Sequence, residues 1–169
     1  MKKNLRMLHK AVFLDRDGVL NHETGAYTQT VEAFNLLPHI FGAMAMLQHA
    51  GFLLIVISNQ GGIAKGVYSL ETLRSMHQLL IQELARHQIT LTDIYFCPHH
   101  PVKTACICRK PDSLMIEKAI SKYRIDPSRS FFIGDKGRDM ECAAKVGVKG
   151  ILIEENSDWT ALAREISAS

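Results

Sequence analysis

Two aspartates separated by one residue end the first apolar run of the chain and could carry out carboxylate chemistry. The run 11–14 is followed directly by Asp15, Arg16, Asp17 and Gly18. One carboxylate of such a pair can attack phosphorus as a nucleophile, and the other can donate and accept a proton. The same residues also suit a turn, because Asp-Gly pairs are common in turns. The pair alone leaves both interpretations open.

Polar side chains also follow later apolar runs. Ser58 comes directly after the run 52–57, and Asp135 lies just beyond the run 131–133. Taken singly, Ser58 could satisfy backbone groups and Asp135 could cap the next helix. In an open α/β sheet, however, ligands bind beyond the carboxyl ends of the strands. The repetition favours a functional site, to which these neighbours would also belong: Asn59, Gln60, Gly61, Arg109, Lys110, Lys136 and Asp139.

This mixture of carboxylates and cations suits phosphoryl transfer from a phosphate monoester. The reaction needs a nucleophile, positive charge near the phosphoryl oxygens and a proton for the leaving alkoxide. Asp15 could attack phosphorus, while Ser58 and Lys110 could bind the transferring phosphoryl group. Asp15 and Asp135 together would offer the oxygen ligands that Mg²⁺ prefers.

Three of the four cysteines lie in one segment with two histidines. Cys97, Cys106 and Cys108 accompany His99 and His100, and in a reducing compartment such a group is more often a metal site than a set of disulfides. Three thiolates and one imidazole make a closed tetrahedral zinc site with a structural role. The alternative is a group of free cysteines beside surface histidines.

Apolar runs of strand length alternate along the chain with segments of helical periodicity. This alternation predicts an α/β fold, a single doubly wound, Rossmann-like parallel sheet with helices on both faces. We expect one domain over residues 1–169, with a small zinc-binding loop at 97–108 and no cap domain. The predicted strands are 11–14, 52–57, 94–96, 131–133 and 150–153, and the predicted helices begin at Pro38, after Ser69, after Pro111, near Asp139 and near Trp159.

The composition argues against several classes of protein. Of the 169 residues, 47% are hydrophobic and 22% are charged, as in soluble globular proteins. The net charge of +3 comes without a Lys/Arg tract, so we expect no nucleic-acid partner. The amino-terminal segment lacks the apolar stretch of a signal peptide, and no run is long enough to span a membrane. We therefore expect a cytoplasmic protein, and a monomer that binds a small anion.

Four segments resemble the motifs of the haloacid dehalogenase (HAD) superfamily, in the same order. Residues 13–20 resemble motif I, Ser58 motif II, Lys110 motif III and residues 134–139 motif IV. The resemblance covers nearly the whole chain. It implies the HAD fold and a phosphatase that works through an aspartyl-phosphate.

The resemblance also implies separate roles for the acidic residues. Asp15 would be the nucleophile and Asp17 the general acid and base. Magnesium would be held by Asp15, the backbone carbonyl of Asp17 and Asp135, with Asp139 behind them. Ser58 and Lys110 would bind the phosphoryl group.

Within the superfamily, the cysteine-rich loop is similar to that of heptose-bisphosphate phosphatases and histidinol-phosphate phosphatases. This similarity implies Zn²⁺ on Cys97, His99, Cys106 and Cys108. It also implies that Arg109 contacts the second phosphate or the sugar. The other substrate-binding residues would be Glu23, Thr24, Gly25, Ala26, Asn59, Gln60, Gly61 and Lys136.

The resemblance implies D-glycero-D-manno-heptose 1,7-bisphosphate, a sugar phosphate, as the substrate. The alternatives are histidinol phosphate, a polynucleotide 3′-phosphate and, in a different class, a non-catalytic binding module stabilised by zinc. Two differences from the heptose enzymes bear on this choice. The loop between His99 and Cys106 is shorter, and the stretch 23–27 carries one extra residue.

Overall fold

The computed structural model describes residues 8–169 and contains one five-stranded sheet whose strands are all parallel. Its spatial order is β3-β2-β1-β4-β5. Each predicted strand is confirmed, with its ends shifted by no more than two residues. Most of the segment on which the signal-peptide prediction rests, residues 1–7, lies outside the described residues. The strands are β1 (Lys10–Leu14), β2 (Phe52–Asn59), β3 (Asp93–Cys97), β4 (Phe131–Gly134) and β5 (Lys149–Leu152).

In residues 8–169, five α-helices connect or follow the strands, and a short 3-10 turn precedes β4. The predicted N-cap at Ser69 is confirmed, because its hydroxyl accepts a hydrogen bond from the Thr72 N–H at 3.0 Å. None of the helices in residues 8–169 is both long enough and apolar enough to cross a membrane. The helices are α1 (Ile40–His49), α2 (Leu70–Arg86), α3 (Leu114–Tyr123), α4 (Gly137–Ala144) and α5 (Thr160–Ser167).

Helices cover both faces of the sheet, as the alternation of elements predicts. Along β1, Val12 and Leu14 point into a core that is shared with α1, α2 and α5. Ala11 and Phe13 point to the other face, where α3 and α4 pack. Alternate side chains of a strand face opposite sides of the sheet, so β1 is buried on both. Residues 8–169 form no second sheet or helical cap.

The sheet extends from β1 in both directions, with β2 and β3 on one side and β4 and β5 on the other. One edge of β1 pairs with β2 and the other with β4, where Leu14 lies opposite Ile133. The order of connection therefore reverses between β1 and β4, and a crevice forms at their carboxyl ends. This topology brings Asp15 and Asp135 to the same crevice from distant parts of the sequence.

Candidate active site

Asp15 is the first residue after β1, and its carboxylate is buried against a cation. Its backbone N–H donates to the Ile133 carbonyl at 3.0 Å, which fixes it beside β4. Its Oδ1 lies 2.9 Å from Lys110 Nζ and accepts the Arg16 N–H at 2.7 Å. Burial raises the pKa of Asp15 to about 7, and Asp139 adds to the rise, although the charge of Lys110 opposes it. A second positive charge beside Asp15 would therefore favour its ionised form.

Lys110 lies at the centre of the site and is 1% exposed. Its Nζ donates to the Ile57 carbonyl at 2.7 Å and contacts Asp15 at 2.9 Å and Asp139 at 2.8 Å. Burial opposes the charge, but the two carboxylates raise the pKa of Lys110 above its ordinary value. The side chain is thus a charged ammonium between two carboxylates.

Asp17 is held by four hydrogen bonds from three side chains. Its Oδ1 accepts from Arg16 Nη2 at 2.6 Å, Arg16 Nε at 3.2 Å and Asn21 Nδ2 at 3.0 Å. Its Oδ2 accepts from Gln60 Nε2 at 2.9 Å. Burial favours the neutral acid, but the Arg16 charge and these hydrogen bonds lower the pKa of Asp17. Asp15 and Asp17 therefore lie in electrostatically different surroundings although only one residue separates them.

Two further carboxylates, Asp135 and Asp139, come from the end of β4 and the start of α4. One oxygen each of Asp15, Asp135 and Asp139 lies within 4.8 Å of the others. Asp135 Oδ1 is buried and has no hydrogen-bond partner among residues 8–169. A Cβ on Gly134 would lie 2.5 Å from Asp139, so only glycine allows this close approach. The arrangement leaves Asp135 with an oxygen free to bind a cation.

These groups line or lie behind a polar cavity of about 160 Å³. Asp15, Asp17, Asp135 and Arg109 line it, whereas Ser58 and Lys110 are buried and do not line it. Ser58 is fully buried, and its Oγ accepts a hydrogen bond from Gln60 Nε2 at 2.7 Å. The contact of Ser58 with a phosphoryl group accordingly stays a prediction.

The two amides after Ser58 use their polar atoms on protein partners. Asn59 bonds to the backbone of Lys110 through both amide atoms, each at 3.0 Å. Gln60 donates to Asp17 and Ser58, and its Oε1 accepts from the Tyr68 hydroxyl at 2.6 Å. Burial raises the pKa of Tyr68 to about 12, so this hydroxyl keeps its proton. Both amides line the cavity, but their polar atoms bond to Ser58, Asp17 and the backbone of Lys110.

The other predicted substrate residues surround the cavity mouth. Glu23 and Ala26 line the cavity, and Gly25 lines a shallower recess beside it, while Thr24 lines neither. The predicted cation Lys136 also lines the cavity, but its Nζ contacts Asp135 at 2.9 Å and Glu155 at 2.5 Å.

On the opposite wall, Gly61 allows the zinc-loop residues to approach closely. A Cβ on Gly61 would lie 3.2 Å from Arg109 Nη1 and 3.0 Å from His100. Arg109 Nη1 donates to the His99 carbonyl at 3.0 Å, which ties the arginine to the cysteine-rich loop. Arg109 and Lys136 therefore flank the mouth from two different segments.

The predicted zinc ligands converge at one point. One ligand atom from each of Cys97, His99, Cys106 and Cys108 lies within 4.8 Å of the others. Cys97 Sγ lies 3.6 Å from both Cys106 Sγ and His99 Nδ1, and 3.0 Å from Cys108 Sγ. Three thiols and one imidazole are a donor set that zinc prefers, and Zn–S bonds of about 2.3 Å give tetrahedral S···S edges of about 3.7 Å, close to the Cys97–Cys106 distance. His100 instead accepts the Val102 N–H, outside the cluster.

Arg16, Glu155 and Asn156 contribute to the site although none of them is among the predicted site residues. Arg16 folds against Asp17 and is 1% exposed, although strand alternation predicts that it points away from the substrate. Glu155 and Asn156 follow β5 and reach the wall of the cavity mouth. The rule that functional residues follow the carboxyl ends of strands could have identified Glu155 and Asn156, because they lie beyond the fifth strand.

Comparisons with known proteins agree with this geometry. The family model described as HAD-hydrolase-like matches residues 107–167. The D-glycero-beta-D-manno-heptose-1,7-bisphosphate 7-phosphatase of Haemophilus influenzae is 36% identical over 147 residues, which cover 84% of this chain and 79% of that protein. The D-glycero-D-manno-heptose-1,7-bisphosphate 7-phosphatase of Chlorobaculum tepidum is 35% identical over 167 residues, covering 92% and 84%. A crystal structure of D,D-heptose 1,7-bisphosphate phosphatase from B. bronchiseptica, complexed with magnesium and phosphate, superposes with a TM-score of 0.82 at 31% identity, covering 92% of this chain and 86% of that one.

Proposed function

We propose that this chain, which belongs to the heptose-bisphosphate 7-phosphatase family of HAD-like hydrolases, removes the 7-phosphate of D-glycero-D-manno-heptose 1,7-bisphosphate. The observation that carries the proposal is the buried contact of Lys110 Nζ with Asp139 and with Asp15, which lines the cavity. Held in this way, the Asp15 carboxylate can attack phosphorus, and the Lys110 ammonium can stabilise the negative charge of the phosphoryl group. A binding module would not need this costly burial of charge.

Magnesium fits the carboxylates of the cavity. The donor set consists of hard oxygens, and Asp135 Oδ1 lacks a partner among the described residues. We infer that Asp15, Asp135 and the Asp17 carbonyl would hold the ion, with Asp139 behind them. Bound there, Mg²⁺ would neutralise part of the charge on the substrate phosphate and on Asp15.

The reaction then proceeds through residues of the chain. An Asp15 oxygen attacks phosphorus, and the bond from phosphorus to the sugar oxygen breaks as the aspartyl-phosphate forms. Asp17 gives its proton to the leaving alkoxide and later takes a proton from the attacking water. That water displaces Asp15 from phosphorus and releases inorganic phosphate. Because its partners favour the ionised form, Asp17 is suited to the second, basic step, and it must gain a proton before the first.

Arg109 is the residue that we propose for the second phosphate. It lines the cavity, and its guanidinium is anchored to the zinc loop through the His99 carbonyl. Guanidinium groups bind phosphate through paired hydrogen bonds. The charge of Lys136 is shared with Asp135 and Glu155, so Arg109 is the better partner for a second dianion.

Zinc would have a mechanical role. A closed site of three cysteines and one histidine has no position for a reacting water. The ion would fix the loop 97–108, and through it Arg109 and Lys110, next to the cavity. We propose that the metal stabilises the substrate site without entering the chemistry.

The proposed substrate also bears on location and assembly. We propose that the protein acts on a free sugar phosphate in the cytoplasm, as a monomer, without nucleic-acid or membrane partners. The modest net charge of +3 supports this proposal, because proteins that bind nucleic-acid backbones usually carry clustered positive charge.

Steady-state kinetics on four substrates test the proposed function. Phosphate release is measured with Mg²⁺ from heptose 1,7-bisphosphate, histidinol phosphate, a 3′-phosphorylated oligonucleotide and a simple aryl phosphate. We expect kcat/KM for the heptose bisphosphate to exceed the others by at least about tenfold, because binding of the remote phosphate contributes to the transition state. Preference for histidinol phosphate or the oligonucleotide would overturn the substrate assignment. Failure on all four would favour the non-catalytic module.

A further inference from the structure

Asn156 joins the end of β5 to the turn that carries the catalytic aspartates. Its φ is +62°, in the left-handed region that asparagine tolerates better than most residues. In this conformation its backbone N–H donates to the Gly18 carbonyl at 2.8 Å. Gly18 directly follows Asp17. The backbone of Asn156 is thereby fixed relative to the catalytic residues.

The side chain of Asn156 holds a third segment. Its Oδ1 accepts the backbone N–H of Glu23 at 2.7 Å, and its Nδ2 donates to the carbonyl of Glu23 at 2.9 Å. One amide thus satisfies both backbone polar groups of Glu23, much as a neighbouring strand would.

The position of residues 23–30, which we call the substrate loop, depends on the contact between Asn156 and Glu23. Of the hydrogen bonds in residues 8–169, the two to Asn156 are those that join the loop to a distant segment. The Gly25 N–H bonds only to the side chain of Glu23 at 2.8 Å. Near the middle of the loop, the centroid of the Tyr27 ring lies 6.2 Å from that of the Tyr68 ring and 5.3 Å from Lys65 Nζ.

We infer that Asn156 is a positioning residue that holds the substrate loop over the cavity and so sets affinity for the part of the substrate beyond the reacting phosphate. The inference rests on the proposed function for the identity of that part, the sugar and its second phosphate. Glu23, Ala26, Tyr27 and Thr28 of the loop line the cavity. A small aryl phosphate has no such remote part, so its hydrolysis should depend little on the loop.

The test is Asn156→Gly. Glycine adopts the same φ and keeps the backbone bond to Gly18, but it loses both bonds to Glu23. We expect KM for heptose 1,7-bisphosphate to rise about tenfold, the effect of losing one to two hydrogen bonds, with kcat within about twofold. For the aryl phosphate, both constants should stay within about twofold.

Gln88→Gly is the matched control. Gln88 also has a left-handed backbone, with φ of 60°, but lies beyond α2, away from the cavity. This variant should retain wild-type constants for both substrates.

Hydrogen exchange of the peptide 22–30 provides a readout that needs no substrate. In Asn156→Gly the Glu23 amide loses its acceptor, so this peptide should exchange faster than in the wild type or in Gln88→Gly. Unchanged KM, or equal losses on both substrates, would overturn the inference. If the wild type hydrolyses only the aryl phosphate, the proposed substrate is wrong, whereas the role of Asn156 is not yet decided. In that case the hydrogen exchange of the peptide 22–30 tests the role of Asn156, and an unchanged exchange rate in Asn156→Gly would overturn it.

Discussion

The side-chain amide of Asn59 holds the backbone of Lys110 at both of its polar groups. Asn59 Nδ2 donates to the Lys110 carbonyl, and Asn59 Oδ1 accepts the Lys110 N–H, each at 3.0 Å. This pair of bonds connects the end of β2 to the segment that supplies the central ammonium. The sequence motif predicts Asn59 as a substrate ligand, whereas the geometry indicates that it acts through Lys110.

Asn59→Ala should therefore reduce kcat more than it raises KM. Without the amide, Lys110 can shift relative to Asp15 and Asp139, and displacement of a catalytic group by about 1 Å can lower the rate about 100-fold. We expect kcat for the aryl phosphate to fall about 10- to 100-fold, with KM changed less than about threefold. Initial rates over a range of substrate concentrations separate the two constants.

Gln48→Ala is the control for this experiment. The Gln48 amide also binds backbone at both of its polar atoms, namely the Gln88 carbonyl at 2.9 Å and the Thr90 N–H at 2.6 Å, but far from the cavity. Its loss should lower stability by about 1 kcal/mol and leave kcat unchanged. A rise in KM alone for Asn59→Ala would show instead that Asn59 binds substrate.

Removal of the zinc ligands should lower both the zinc content and the thermal stability of the protein. Metal analysis of the purified protein should find about one equivalent of zinc, as expected for a closed site of three cysteines and one histidine. Cys106→Ser and Cys108→Ser should lose the zinc and melt at lower temperature, because metal binding contributes to folding. Cys142→Ser is the control, since the Cys142 thiol bonds to the Asp112 carbonyl outside the cluster. Unchanged zinc content in the first two variants would contradict the assigned ligands.

The free energy of unfolding should depend on pH through His77. This side chain is 7% exposed, its Nε2 has no hydrogen-bond partner among residues 8–169, and burial lowers its pKa to about 4, with the Arg16 charge adding to the effect. The unfolded chain gains the proton near pH 6.5, before the folded protein does. Stability is therefore full above pH 6.5 and falls as the pH decreases towards 4.

Urea denaturation of the wild type and of His77→Phe tests this prediction. Between pH 7 and pH 4.5 the wild type should lose about 2 to 3 kcal/mol through His77. The free energy of unfolding of His77→Phe should fall by about 2 to 3 kcal/mol less over the same pH range, because phenylalanine cannot titrate. Parallel losses in the two proteins would show that another group causes the pH dependence.

Local patterns in the sequence predict the sheet and the convergence of the carboxylates at its edge. Apolar runs of strand length locate all five strands, and the polar residues after β1 and β4 meet because parallel strands end at one edge. The cysteine spacing likewise identifies four side chains that converge. These features depend on residue type and on periods of a few residues.

The partners of the polar side chains could not be predicted in this way. Asn156 bonds to Glu23, 133 positions earlier in the chain, and periodicity carries no information about such a pair. The resemblance predicts Lys136 as a substrate-binding residue, but its ammonium contacts Asp135 and Glu155. Amide and ammonium groups turn towards the partners that the tertiary fold provides, and these become known only with the fold.

Turnover by Asp15→Asn tests the central claim most directly. Asparagine preserves the size of the side chain but cannot form an acyl-phosphate, so phosphate release from heptose 1,7-bisphosphate should fall about 10⁴-fold or more. The variant should still contain zinc and unfold cooperatively. Asp158→Asn, in which the side-chain oxygen that accepts the Thr160 N–H is retained, should keep wild-type turnover. A folded Asp15→Asn protein with near-normal turnover would contradict the proposed nucleophile.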